Sequence, residues 1–236
     1  MTDTQPDQEQ TPIRAQVSAA VDELGWRLIL GTLQTSVAVA SLQDAADLAA
    51  RMARGCGEAV DGSLSMDVQR TRLMLTLQAT ATARVTQREL DLARRISQMV
   101  LEMGLQLSPA LGTEEPRSVQ AVEVGIDALD IALVRPFWMA VLGYVGEAGD
   151  DGPQGALVDP LGRGPAIWFQ QMDQPRPQRN RLHLDVSVPH DEAALRIRTA
   201  LDAGGVLLSE TEAPAFWVLA DAEGNEACVT TWQGRD

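Results

Sequence analysis

Histidine is nearly absent from this chain: His183 and His190 are the only two in 236 residues. A reaction that needs a side chain to give and take a proton near neutral pH is therefore confined, as far as imidazole supplies it, to the second half of the sequence. Cysteine is as scarce. Cys56 and Cys228 fall in different halves with no framework spacing, which excludes a disulfide scaffold. Basic charge is outweighed, with 19 Lys and Arg against 33 Asp and Glu and a net charge of -14. Nucleic acid and anionic membrane surfaces are excluded as partners, because both are held by a basic footprint. No run of about 18 apolar residues occurs, and MTDTQPDQEQTP at the start has neither a basic n-region nor an apolar core. These absences set the expectation of a cytoplasmic protein with a disordered polar leader over residues 1–10.

What is present is enough apolar side chain, 45% of the sequence, to bury one large core or two small ones, and two domains are expected. Ile13, Val17, Ala20, Val21 and Leu24 keep helical spacing up to Gly25. Two β-like runs follow, WRLIL and SVAVA. Ser41 with Asp44 opens a helix through Ala45, Leu48, Ala49 and Met52. From Arg70 to Gln78 the chain alternates, with Leu73, Leu75 and Leu77 on one face, as a half-buried strand does. Thr86 and Glu89 form a capping box before a helix carrying Leu92, Ile96, Met99, Val100 and Met103. The order reads α-β-β-α-β-α over residues 11–107.

The run VTQRELDLARRISQMV, preceded by that strand and an Ala-rich helix, resembles the C-terminal part of the pterin-4a-carbinolamine dehydratase family over roughly Val21 to Val100. The resemblance implies a sheet with helices on one face and association through both. It also implies a histidine-based dehydration site. The positions matching the family's histidine elements are Gly62, Ser63 and Leu64, then Ala79, Thr80 and Ala81, and none is histidine. Asp61 or Asp67 could stand in as an acid, but a surface carboxylate is ordinarily only solvated. The expectation is a dehydratase-like domain without that chemistry, serving to form a homodimer.

Residues 108–118, SPALGTEEPRS, carry two prolines, a glycine and two acids and read as a linker. Beyond it, residues 119–236 read as one unit written twice, over about 119–172 and 181–233. VEVGIDALD answers LHLDVSVPHD, and DPLG answers DAEG. Glu123 and His183 lie 60 residues apart, Asp159 and Asp221 lie 62. Each copy has an alternating strand and then a helix, one over Ala132 to Leu142 with Pro136 breaking or kinking any earlier start, one from an Asp191 N-cap to Leu201. The fold class expected for the whole chain is α+β, with paired βαβββ modules in the second domain.

RPFWMAVLGY, RNRLHLDVSVP and LADAEGNEACV resemble the vicinal oxygen chelate superfamily, in particular its glyoxalase-like branch. The resemblance implies a curved sheet around a cleft and a divalent ion held by residues of the first and last strands of each module. Carried over by position, the first-strand ligands are Glu123 and His183, and the last-strand positions fall at Cys228 and near Gln170. Zinc would accept Glu, His and Cys with an open position. His183 is otherwise a hydrogen-bonded residue on the floor of a polar cleft, and Cys228 otherwise a small buried hydrophobe. Parity along LHLDVSV puts Asp185 on the same polar face as His183. Trp168 and Trp217 either line an apolar cleft for a ring-bearing ligand or alternate on closing strands, while Trp138 and Trp232 read as core. Three arginines in MDQPRPQRNR could gather an anionic ligand or simply be solvated.

Three functions follow. The first is a glyoxalase-like protein binding a small molecule, acting with a metal as a lyase, isomerase or dioxygenase-type enzyme. The second is a non-catalytic ligand-sequestering protein. The third is 4a-hydroxytetrahydrobiopterin dehydratase.

Overall fold

A computed structural model of the chain describes residues 12–111, 117–150, 152–176, 178 and 180–234. The leader expected over residues 1–10 lies outside the described residues, as does the middle of the expected linker. The chain divides into two compact units, Met1–Ala121 and Val122–Asp236.

In the first unit, α1 (Arg14–Val21) leads through a turn of 3-10 helix to the hairpin of β1 (Arg27–Ile29) and β2 (Thr32–Ala38). Helix α2 (Leu42–Cys56) begins where the Ser41 hydroxyl accepts the Asp44 N–H at 3.1 Å. Next come β3 (Leu64–Gln69), β4 (Arg72–Leu77), α3 (Gln87–Glu102) and β5 (Leu107–Ser108). The order up to α3 is therefore α-β-β-α-β-β-α, which corrects the expected α-β-β-α-β-α by one strand. β3 pairs with β4 along its whole length through a turn at Arg70 and Thr71. That turn carries none of the Gly, Asn, Asp or Pro that mark hairpins in sequence. The sheet runs β1-β2-β4-β3, with β5 also on β2. Its inner face (Leu33, Val37, Leu73, Leu75, Leu77) meets Val17, Val21, Leu48, Met52, Ile96 and Val100 of the helices in one buried cluster. Trp26 is fully buried there, its indole N–H donating to Ser97 Oγ at 3.0 Å. The stretch expected as a plain linker instead holds a short antiparallel pair, β6 (Ala110–Leu111) with β7 (Arg117–Ser118).

The second unit contains two modules. The first comprises β8 (Glu123–Ala128), α4 (Ile131–Leu142), β9 (Val145–Gly146), β10 (Leu157–Val158) and β11 (Ala166–Gln171). The second comprises β12 (Leu184–Ser187), α5 (Ala193–Asp202), β13 (Val206–Ser209), β14 (Phe216–Ala220) and β15 (Glu226–Thr230). Their sheets run β8-β11-β10-β9 and β12-β15-β14-β13, the same order twice, with first and last strands parallel and the rest antiparallel. Pro136 lies inside α4 and does not end it. The helix is anchored at the Asp130 cap, whose carboxylate accepts the Leu133 N–H at 3.2 Å, and goes without the one backbone bond that proline cannot donate. Helix α5 starts at Ala193 after Glu192, so Asp191 is not its cap.

One core serves both modules. Ile126, Val134, Phe137, Trp138 and Val141 of the first pack in the same cluster as Ala200, Leu219, Ala227 and Val229 of the second. Polar bonds cross the same seam. Trp138 Nε1 donates to Asp221 Oδ2 at 2.9 Å, Arg196 donates to the Val141 carbonyl at 3.0 Å, and the Glu223 carboxylate accepts the Leu129 and Asp130 N–H groups. Among the described residues no helix is long and apolar enough to cross a membrane.

Candidate metal and ligand site

Side chains alternate along β12, so Leu184 turns to the apolar core and Asp185 to the opposite face, where His183 also stands one residue before the strand. The parallel partner β15 sets Cys228 in register with Asp185. His183 Nε2 lies 3.3 Å from Asp185 Oδ1. One donor atom from each of His183, Asp185 and Cys228 lies within 4.8 Å of the other two. Cys228 is 6% exposed and is not in a disulfide, whereas His183 and Asp185 are about half exposed. The cluster thus has a buried sulfur at its floor and two donors open to solvent.

Imidazole, carboxylate and thiol together are a donor set that zinc accepts, while calcium or magnesium would ask for oxygens alone. The residues present therefore fit a zinc-type ion. Three protein donors leave one tetrahedral position for a ligand.

Glu123, expected as the counterpart of His183, is not part of this cluster; it sits exposed at the start of β8, in register with Ala166. Asp185 takes the place beside the imidazole, and the period of two from His183 was the signal for it. Gln170 lies exposed on β11 in register with Asp127, its amide 3.4 Å from the Gln171 carbonyl. Trp168 is in register with Gly125 and 41% exposed. Trp217 is not on the Cys228 face. Val218 holds the register position opposite Cys228, so Trp217, one pleat away, turns into the core cluster. Trp232, expected as core, is 63% exposed and donates from Nε1 to His190 Nδ1 at 3.2 Å. Arg176, from the segment joining the modules, pairs with Asp127 at 3.3 Å.

Two aspartates that organise the closing turns complete the frame. Asp159 accepts the N–H groups of Leu161, Arg163 and Gly164, and these bonds, Leu161 foremost, hold its carboxyl below the usual range. Burial, with the Asp159 charge second, pushes the nearby Tyr144 phenol up. A separate groove of about 710 Å3 opens between α4 and α5, lined by Met139, Tyr144, Leu195 and Arg196 among others. None of the three clustered donors lines it, so it is a different place from that cluster.

Residues 123–230 match the family model of the glyoxalase-like domain. Similar solved structures include a glyoxalase/bleomycin resistance protein/dioxygenase family enzyme from Burkholderia phytofirmans PsJN, 19% identical over 46% of this chain and 95% of that one, with a TM-score of 0.38. A glyoxylase/bleomycin resistance protein/dioxygenase domain from Frankia sp. EAN1pec is 19% identical over 50% and 96%, with a TM-score of 0.37. A mutant of the fosfomycin resistance protein FosX from Listeria monocytogenes, complexed with Mn(II) and 1S,2S-dihydroxypropylphosphonic acid, is 9% identical over 48% and 90%, also with a TM-score of 0.37. The chain matches no curated protein. The likeness to a glyoxalase-like domain thus covers residues 123–230, a little under half of the chain.

Proposed function

We propose that the glyoxalase-like domain binds a small molecule over a divalent ion of the zinc type held by His183, Asp185 and Cys228. The observation that supports this is the convergence of three chemically suited donor atoms within 4.8 Å, two of them open to solvent. Such an ion would polarise an oxygen of the bound ligand, the service a lyase, isomerase or dioxygenase-type enzyme of this class requires. The protein's own part is positioning. The polar face of β12 keeps Asp185 beside the imidazole, and the β12–β15 register sets the thiol against both.

Metal content of the full chain, purified without added metal, tests the reading. About one zinc per chain is expected in the wild type, and a strong loss in His183→Ala and in Cys228→Ser. Equal content in all three would remove it. The second reading is metal-free ligand sequestration, favoured by the position of Asp185 Oδ1 3.3 Å from His183 Nε2, a polar pair that needs no ion to hold it. A wild type that binds no metal when zinc is supplied selects it.

For the first unit we propose an assembly role. Residues 12–121 contain no histidine to carry carbinolamine dehydration, and β3 ends the sheet as an edge strand able to pair with a second copy.

A further inference from the structure

Trp168 and Gly125 face each other across the parallel pair β8–β11. The indole lies directly over the glycine: a Cβ built on Gly125 would stand 3.0 Å from indole Cε2 and Cζ2 and 3.2 Å from Nε1. Any other residue at 125 would force the ring to give by a few tenths of an ångström, so the glycine is the seat on which one face of the indole rests. The ring remains 41% exposed. An exposed tryptophan whose position is fixed by the strand beneath it offers a flat surface at little cost in side-chain freedom.

The neighbours of that seat decide what would lie on it. Residues two apart on one strand share a face about 7 Å from each other, which places Glu123 on one side of Gly125 and Asp127 on the other. Asp127 is neutralised by Arg176 at 3.3 Å. Glu123 is exposed and has no ion-pair partner among the described residues. The seat is thus an electron-rich ring beside one uncompensated carboxylate, on a chain of net charge -14. A cationic ring gains on both counts, by stacking on the indole and by its charge against the ring face and Glu123. An anion of the same size loses on both.

We infer that Trp168, seated on Gly125 and flanked by Glu123, is a binding platform for a flat, positively charged ring, and that the ligand class of this domain is the cationic heteroaromatic compound. This rests on the reading of residues 123–230 as a small-molecule-binding domain, but not on the metal.

The test is isothermal titration calorimetry of the full chain, treated with EDTA, with three probes of similar size: 1-methylquinolinium, neutral quinoline and anionic 2-naphthoate. The inference predicts that methylquinolinium binds at least tenfold more tightly than either of the others. It predicts a loss of tenfold or more in Trp168→Ala and recovery of most of it in Trp168→Phe. Glu123→Gln should narrow the gap between methylquinolinium and quinoline, and added salt should do the same. Binding of naphthoate as tight as that of methylquinolinium would overturn the inference, as would no methylquinolinium binding, or binding unchanged in Trp168→Ala. Metal content measured before EDTA treatment keeps the two readings apart. Zinc present with no preference for the cation overturns only the platform, and a cation preference with no zinc overturns only the metal.

Discussion

Asp221 does for the second module what Asp159 does for the first, and one thing more. Its carboxylate accepts the N–H groups of Glu223 and Asn225 within the turn, the Asn225 amide, and the indole N–H of Trp138 from the other module. Asp221 is 2% exposed, so removing the acceptor strands a buried indole donor as well as the turn. Asp221→Ala is expected to lower stability by about 3 kcal/mol, read from urea denaturation. Glu89 makes a different prediction. Burial pushes its carboxyl up, but hydrogen bonds from the Thr86 hydroxyl, the Ser63 hydroxyl and the Thr86 N–H outweigh this and leave it below its ordinary 4.5. A carboxyl depressed by the fold stabilises it fully above its unfolded value, and the contribution fades as pH falls through the folded value. The stability difference between wild type and Glu89→Gln should therefore be large at pH 7 and shrink on acidification. A constant difference would contradict the assignment. The capping box was legible in Thr86 and Glu89 three residues apart. The Ser63 bond was not, because nothing local ties residue 63 to residue 89.

At the scale of elements, the modules depend on close approaches across the seam. A Cβ on Gly205, just before β13, would lie 2.5 Å from Phe137 Cδ2 and 2.8 Å from the Ala200 carbonyl. Phe137 is fully buried and cannot retreat, so Gly205→Val should destabilise the second unit by about 2 kcal/mol or more through overpacking, measured as a drop in Tm. An unchanged Tm would mean the helix α4 seam is looser than described. Elements with strong local signals were readable in advance: the Ser41 and Thr86 caps, the β4 alternation, the repeated strand-helix pattern. What escaped was set by tertiary context. β3 has apolar residues at Leu64, Met66 and Val68, but its hairpin turn carries no turn residue. Pro136 is tolerated in α4 because that helix is buried and capped. The face of Trp217 stayed open in the sequence because its pleat parity depends on the β14–β15 register, which no local pattern announces.

The whole molecule is two units with separate cores, and the His183, Asp185 and Cys228 cluster lies in the second. A fragment of residues 122–236 is expected to fold alone, with a cooperative unfolding transition, and to keep the metal content of the full chain. A fragment that fails to fold would show that the first unit is needed for more than assembly. The twofold repeat was legible from Glu123, His183, Asp159 and Asp221 because period is preserved when side chains diverge. The donor set was only half legible. His183 and Cys228 stood at the positions the resemblance marks; the carboxylate clustered with them is Asp185, and Glu123 is not in that cluster. The most direct measurement is titration of the full chain with cobalt(II), followed by absorbance. The account predicts saturation near one equivalent with a thiolate-to-cobalt charge-transfer band that is missing in Cys228→Ser. A wild-type titration with no such band, or a band that survives the loss of the thiol, would contradict it.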